Sequence, residues 1–450
     1  MKFYKCSNIK TFLNLIDSTR IMATVSFRKG FVLPHLKLTE KENIKVVGVP
    51  KRVVIPLQQH IGKECKPVVK VGNIVKIGQK IGESDGFVSA PVHSSVSGKV
   101  VEVKEWLHPL GKKVLSVVIE ANGKDEGFKE NKKAEKLGKE ELLKIVKEAG
   151  IVGLGGATFP THVKLSPPKE KKIDTIILNG GECEPYLTTD HRIMLEYASD
   201  IVKGLKVLMK VVGAKKGVIG IENDKKDAVD VMRKVRDGVE VVRLKTKYPQ
   251  GAEKMLIKAI VNRVVPLGGL PMDVGVVVNN VGTAKAVHDA VYFGKPLIER
   301  VVTVTGDVNE PKNVMVKVGM LAKDVVKECG GYKGTPKKII MGGPMMGIAQ
   351  SSDNVPVIKG TSGILVLDDA EEPEERECIR CGKCVDYCPM NLMPVTIAKF
   401  GRADRIKQAE EYYASACFEC GVCAYVCPSK IPLVKWIRYA KGKINENGKP

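Results

Sequence analysis

Aromatic side chains are scarce in this chain, at 5% of 450 residues, and tryptophan occurs twice. Acidic residues are in deficit, with 51 Asp and Glu against 73 Lys and Arg, a formal net charge of +22. Long apolar runs are missing. Stretches such as the one around Gly275–Val278 fall far short of the roughly 18 residues that cross a bilayer. These absences exclude an integral membrane protein but leave docking onto a membrane open. The scarcity of aromatics, the spread of lysines and the lack of any RNA- or DNA-binding signature argue against nucleic acid as the partner. The positive charge suits an anionic leaflet or an acidic redox partner, and equally a plain lysine-rich surface. No secretory signal is read. Asn14 and Asp17 break the only candidate apolar core, and Met22 opens a cleaner pattern, so residues 1–21 are taken as an extension of open status. With 44% hydrophobic residues the chain is globular, and its length suggests about three domains.

What is present in quantity is cysteine. Eight of the 12 fall in two blocks, Cys378-x2-Cys381-x2-Cys384-x3-Cys388-Pro389 and Cys417-x2-Cys420-x2-Cys423-x3-Cys427-Pro428, repeated 39 residues apart. Three thiolates at this spacing grip three irons of one cubane, while the fourth lies too far along and ligates the other cluster. The spacing therefore predicts one [4Fe–4S] cluster on Cys378, Cys381, Cys384 and Cys427. It predicts a second on Cys417, Cys420, Cys423 and Cys388. Zinc usually takes paired CxxC elements without this pattern, and disulfides need an oxidising compartment. Between the blocks, Pro394, Val395, Ala398, Ile406, Ala409 and Tyr413 follow helical spacing, which predicts a helical ferredoxin-type module. Residues 378–450 carry twelve Lys and Arg against six Asp and Glu, a surround that offsets cluster charge.

Residues 67–82 and 89–103 alternate apolar and polar with glycine turns, as in a barrel-sandwich hybrid. The hairpin tip at Glu83–Phe87 has no lysine, so a structural or docking role is expected rather than a swinging arm, and His93 reads as a turn or strand residue. Continuous apolar runs at Ile173–Leu178 and Val274–Val278 predict buried parallel strands. Helical periodicity is read at 139–149, 200–212 and 225–235. Residues 300–333 predict a small β-grasp insert, and the acidic run 368–377 a linker.

Gly150–Lys164 is dense in glycine but carries no GK[ST] and no third glycine of a dinucleotide fingerprint, since Thr158 stands there. Three further segments follow: Asn179-Gly-Gly-Glu182-Cys-Glu184-Pro185, Tyr248-Pro-Gln-Gly251-Ala-Glu253, and Val278-Asn279-Asn280-Val281. Their order and spacing resemble the flavin-binding subunit of respiratory complex I. Together with the hybrid motif, the β-grasp insert and the doubled cysteine block, residues 22–440 resemble the RnfC family of electron-transport complex subunits.

The resemblance implies a multidomain α/β and β fold: a hybrid domain at 22–125, an FMN- and NAD-binding α/β domain at 126–295, a β-grasp (SLBB-like) domain at 296–360, and a helical two-cubane module at 361–450. It implies that Gly153, Gly155, Gly156 and Gly251 line a noncovalent FMN, with Lys164, Asn179, Glu182, Asn279 and Asn280 around it. Phe159, Glu184 and Glu253 would face NAD(H). Leu154, Gly181, Ala252 and Pro167 depart from the complex I pattern. The implied activity is that of a peripheral subunit of an ion-translocating ferredoxin:NAD oxidoreductase. It would lie on the cytoplasmic face of the membrane with the other Rnf subunits, one of which accepts ferredoxin. A soluble flavin and iron–sulfur cobalamin reductase, and a nonenzymatic electron-wire or scaffold subunit, are the competing readings.

Overall fold

The computed structural model describes residues 24–123, 127–370 and 373–447. The N-terminal extension and Cys6 lie outside the described residues.

The α/β region is built on a four-stranded parallel sheet in the order Glu240–Leu244, Lys216–Glu222, Thr175–Gly180, Val276–Asn280. The middles of its strands are largely apolar because both faces are covered. Ile176, Leu178, Ile219, Ile221 and Val277 point into one core with the helices Lys139–Glu148, Ala198–Val212 and Val281–Phe293. Ile177, Val276 and Val278 point the other way, against the helix Glu253–Val261. The expected strands at 173–178 and 274–278 thus form, each shifted two residues towards its C-terminus.

Residues 52–121 form two small sheets, one ordered Arg52–Pro56, Lys113–Ala121, Gly98–Leu107, Ile74–Val75 and the other Lys66–Pro67, Lys80–Glu83, Val92–His93. Val53, Ile55, Leu57, Ile81, Val92, Val117 and Ile119 fill the space within this sandwich. His93 is a buried strand residue.

A six-stranded mixed sheet runs Ile44–Val46, Lys312–Lys317, Glu299–Gly306, Gly363–Leu367, Lys338–Met341, Ile348–Ala349. Two expected boundaries fall differently here. Ile44–Val46 leaves the hybrid region to pair in parallel with Lys312–Lys317. Gly363–Leu367 pairs in parallel with Glu299–Gly306, so this sheet extends past residue 361. The physical reason is burial: Ile364, Leu365 and Val366 are apolar and fully enclosed, which a helical module has no sheet to provide.

The C-terminal module is helical, with Pro394–Arg402, Ile406–Glu411 and Leu433–Asn447 around a core of Leu392, Ile397, Ala398, Ala409, Leu433 and Ile437. Proline opens the first helix at a position where its missing N–H costs nothing. None of the described helices is long and apolar enough to cross a membrane.

Candidate functional site

The parallel strands end on one rim. The chain leaves Thr175–Gly180 towards Lys216–Glu222 on one side, while Val276–Asn280 flanks it on the other. Between these two strands lies the crevice where open α/β sheets bind ligands. Asn179 and Asn280 stand opposite each other across it.

The glycine-rich loop covers this crevice. Its base is closed by a Val152–Pro160 bridge and by the Gly153 N–H donating to the Phe159 carbonyl at 2.9 Å. Leu154 is anchored at both ends: its N–H donates to Thr283 Oγ1 at 2.9 Å and its carbonyl accepts from Arg300 Nη2 at 2.7 Å. The exposed tip carries Gly155 and Gly156. A side chain at Gly156 would meet nothing within 4 Å, and one at Gly155 would first meet Asn280 Cβ at 3.6 Å. Bare backbone therefore faces open space beside the rim.

Asn179, Gly181 and Gly251 are brought together. Asn179 Nδ2 donates to the Gly251 carbonyl at 2.8 Å, and Asn179 Oδ1 accepts from the Gly181 N–H at 2.9 Å. A Cβ on Gly251 would stand 2.3 Å from the Gly181 carbonyl, so only glycine permits this approach. Asn279 is buried and its Nδ2 has no hydrogen-bond partner among the described residues. Asn280 caps the helix Val281–Phe293 through Oδ1, which accepts from the Gly282 N–H at 2.8 Å, and its Nδ2 donates to Asp190 at 2.6 Å. Lys164 pairs with Glu253. Phe159 is half-buried at the base of the loop.

The two glutamates of the second segment part ways. Glu182 is buried and accepts from the Asp190 and His191 N–H groups at 3.0 and 3.3 Å, in the first turn of the helix Thr189–Glu196. Glu184 reaches the β-grasp region instead. Its two oxygens accept from the Met345 N–H at 3.0 Å and the Met346 N–H at 2.8 Å. A Cβ on Gly343 would come within 2.4 Å of the Glu184 carboxylate, so a side chain there would displace Glu184 from this contact. Burial pushes the Glu184 carboxyl up to about 7, against the two amides that favour its charge. Burial, reinforced by the Glu182 charge, likewise holds Asp190 at about 7.

Three basic residues that hold this site were not read from the sequence. Lys37 Nζ donates to the carbonyls of Glu182, Glu184 and Leu187 at 2.9, 2.7 and 2.5 Å, which fixes the course of that segment. Burial lowers its pKa, and the Lys225 charge adds to this. Arg300 also donates Nε to the Thr361 carbonyl at 2.8 Å, and burial brings its guanidinium down to about 10. Lys359, fully buried, donates to the carbonyls of Pro91 and Gly150, joining the hybrid domain to the start of the glycine loop. A lone arginine in the apolar run 299–306 was a signal for Arg300. Lys37 gave none, because its contacts lie about 150 residues away.

The eight cysteines of the repeat fall into two groups. The thiols of Cys378, Cys381 and Cys427 bear on that of Cys384. Those of Cys417, Cys420 and Cys388 bear on that of Cys423. The last cysteine of each block thus stands with the first three of the other. Cys388, Cys417, Cys420 and Cys423 share an apolar cavity with Leu392, Phe418, Val434 and Ile437. Burial pushes the Cys420 thiol up to about 12, and the neighbouring Cys417 adds to this. Four thiols held together in an apolar lining are a donor set that iron stabilises as thiolates. Cys378 and Cys381 are exposed.

The two centres meet in one contact cluster. Tyr248, three residues before Gly251, packs with Cys420 and Val422, and against them lie Cys183, Met345, Phe31 and Tyr387.

Comparison with known proteins gives four family matches: the RnfC barrel sandwich hybrid domain over residues 25–124, the Nuo51 FMN-binding domain over 146–289, the SLBB domain over 301–349 and the 4Fe-4S dicluster domain over 377–431. The chain is 50% identical over 434 residues to the C subunit of a proton-translocating ferredoxin:NAD(+) oxidoreductase complex of Clostridium ljungdahlii, covering 94% of this chain and 95% of that one. It is 48% identical to the corresponding subunit of a Na(+)-translocating ferredoxin:NAD(+) oxidoreductase complex of Acetobacterium woodii, over 93% and 97% of the two chains. The fold is similar to that of an NAD+-reducing [NiFe]-hydrogenase in its H2-reduced state, with TM-score 0.50 and 18% identity, over 68% of this chain and 62% of that one. On the strength of the near full-length identity to these subunits, the chain belongs to the RnfC family.

Proposed function

We propose that this chain is the peripheral electron-transfer subunit of an ion-translocating ferredoxin:NAD oxidoreductase. FMN sits in the crevice between the Thr175–Gly180 and Val276–Asn280 strands, and the two cysteine groups hold two [4Fe–4S] clusters. The observation that carries this reading is the contact cluster in which Cys420 packs on Tyr248, three residues before Gly251. It joins a one-electron centre to the place where a two-electron carrier fits.

The crevice suits FMN on three counts. The bare backbone at Gly155 and Gly156 lets a flat ring approach. Asn279 Nδ2 offers an unused donor to a ring edge without adding charge. Lys164 offers a cation to the phosphate or the ring edge. When bound, FMN supplies the exchange between hydride and single-electron chemistry. The protein's part is positional. Thr283 and Arg300 fix the loop, Lys37 fixes the Glu182–Leu187 segment, and Asn179 locks the rim to Gly251. Phe159, at the base of the loop, and Glu253, paired with Lys164, are assigned to NAD(H). Glu184 is assigned there as well, through the SLBB loop it holds.

The burial pattern supports an order for the clusters. The set around Cys420 is enclosed and lies beside the crevice, while Cys378 and Cys381 face outward. Electrons from a ferredoxin-accepting subunit enter at the exposed set, and the remaining Rnf subunits bring this chain to the cytoplasmic face of the membrane. The domain limits are set at 24–50 for a leading strap, 51–123 for the hybrid, 127–295 for the flavin domain, 296–367 for the SLBB sheet and 373–447 for the cluster module. Anaerobically reconstituted protein is expected to hold one FMN and about eight iron atoms per chain. A chain that takes up iron but no FMN would refute the assignment of the crevice.

A further inference from the structure

We propose that the Tyr248 hydroxyl is a positioning and tuning group that donates a hydrogen bond to sulfur of the cluster held by Cys388, Cys417, Cys420 and Cys423, raising that cluster's reduction potential. This rests on the two-cluster reading above.

Tyr248 is only 2% exposed, and its hydroxyl has no hydrogen-bond partner among the described residues. A buried hydroxyl left unpaired costs roughly 1–3 kcal/mol. Its surroundings are otherwise apolar or sulfur-bearing: Cys420 and Val422, with Cys183, Met345, Phe31, Leu33 and Phe418 against them. The groups that act electrically on the hydroxyl are Glu184, Cys183 and Cys420. The hydroxyl makes no hydrogen bond to Glu184, whose oxygens accept from the Met345 and Met346 amides. Cys183 packs against the same contact cluster, and a cysteine sulfur is a weak acceptor. Cys420, once it binds iron, is a thiolate beside sulfide, which puts charged sulfur acceptors against the ring.

The ring has little freedom to turn away. Its backbone is doubly bonded to Phe31, N–H to carbonyl in both directions at 2.7 and 2.8 Å. The Phe31 ring in turn sits 5.2 Å from Tyr387 and 5.5 Å from Tyr425, both in the cluster module. The same contacts that dock the module therefore hold this buried tyrosine against Cys420. A donor to cluster sulfur stabilises the more negative reduced state, which raises the potential.

The test is Tyr248→Phe in the full-length reconstituted protein, with EPR-monitored redox titration of both clusters. The expected result is a downward shift of the Cys420-set cluster, a roughly tenfold change in its one-electron equilibrium (~59 mV). The Cys378-set cluster, the iron content and the flavin content stay unchanged. In parallel, an exchangeable-proton coupling on the Cys420-set cluster, seen by ENDOR in H2O and lost in D2O, should vanish in the variant. Two clusters at full iron content with unmoved potentials and an intact proton coupling would overturn the hydrogen bond while leaving the cluster reading in place. So would a shift confined to the flavin. Wild-type protein with fewer than two clusters would overturn both.

Discussion

Lys164 Nζ lies 2.7 Å from Glu253 Oε1 and 3.0 Å from the Val278 carbonyl, so one ammonium ties the end of the glycine loop to the helix Glu253–Val261 and to the strand that carries Asn279 and Asn280. Both charged groups of this pair are partly exposed. A pair of that kind contributes at most about 1 kcal/mol to stability. Lys164→Ala should therefore fold. It should weaken FMN binding by about tenfold or more, the loss of a charge-assisted hydrogen bond, and leave iron content full. Flavin and iron quantified on the same sample check this, and unchanged flavin affinity would remove Lys164 from the site.

The proposed crossed ligation gives a second prediction. Cys388 stands with the Cys417 block and Cys427 with the Cys378 block. Cys388→Ala should therefore degrade the cluster of the second block and spare that of the first. EPR of the reduced variant decides it; loss of the Cys378-block signal alone would contradict the assignment.

Gly251→Ala addresses the rim. The added methyl would lie 2.3 Å from the Gly181 carbonyl, a backbone atom with little room to yield. Overpacking of this kind costs about 1–3 kcal/mol. The Asn179–Gly251 contact should open and flavin should be lost in preference to iron. A variant with wild-type stability and full FMN would show that the close approach is unimportant.

The fourth prediction concerns pH. The folded-state pKa of Glu184 is raised to about 7 from an ordinary carboxylate value, through burial. The folded chain then binds more protons at this site than the unfolded chain between about pH 4.5 and 7, so stability from this group falls as pH rises through that window. The slope is at most about 1.4 kcal/mol per pH unit, one proton's difference. Asp190, also raised to about 7, adds to the wild-type slope and remains in a Glu184 variant. Denaturation of wild type and Glu184→Gln at pH 5 and pH 7.5 should show the wild type losing stability relative to the variant at the higher pH. A difference independent of pH would contradict it.

Much of this was legible in the sequence, for physical reasons. The strands Thr175–Gly180 and Val276–Asn280 are buried on both faces, and burial on both faces writes a continuous apolar run. The cysteine blocks are legible because cluster geometry fixes their spacing. The helices at 198–212 and 226–235 show in the pattern with starts off by one or two residues, because amphipathic periodicity marks a helix body better than its end. What stayed hidden is long-range. The pairing of Ile44–Val46 with Lys312–Lys317 joins segments some 270 residues apart, and three residues carry too little pattern to announce it. Glu184 is visible in its segment, but the amides of Met345 and Met346 that its carboxylate accepts come from a loop 160 residues on. Lys37 looks like one of many lysines, and only the fold places it on three carbonyls.

The central claim is that the crevice beside Gly251 passes electrons between a nicotinamide nucleotide and the Cys420-set cluster. Its most direct test is an anaerobic NADH titration of the reconstituted protein, followed by absorbance. Flavin bleaching followed by reduction of the iron–sulfur bands is the predicted result. Bound flavin that stays oxidised in excess NADH would contradict it.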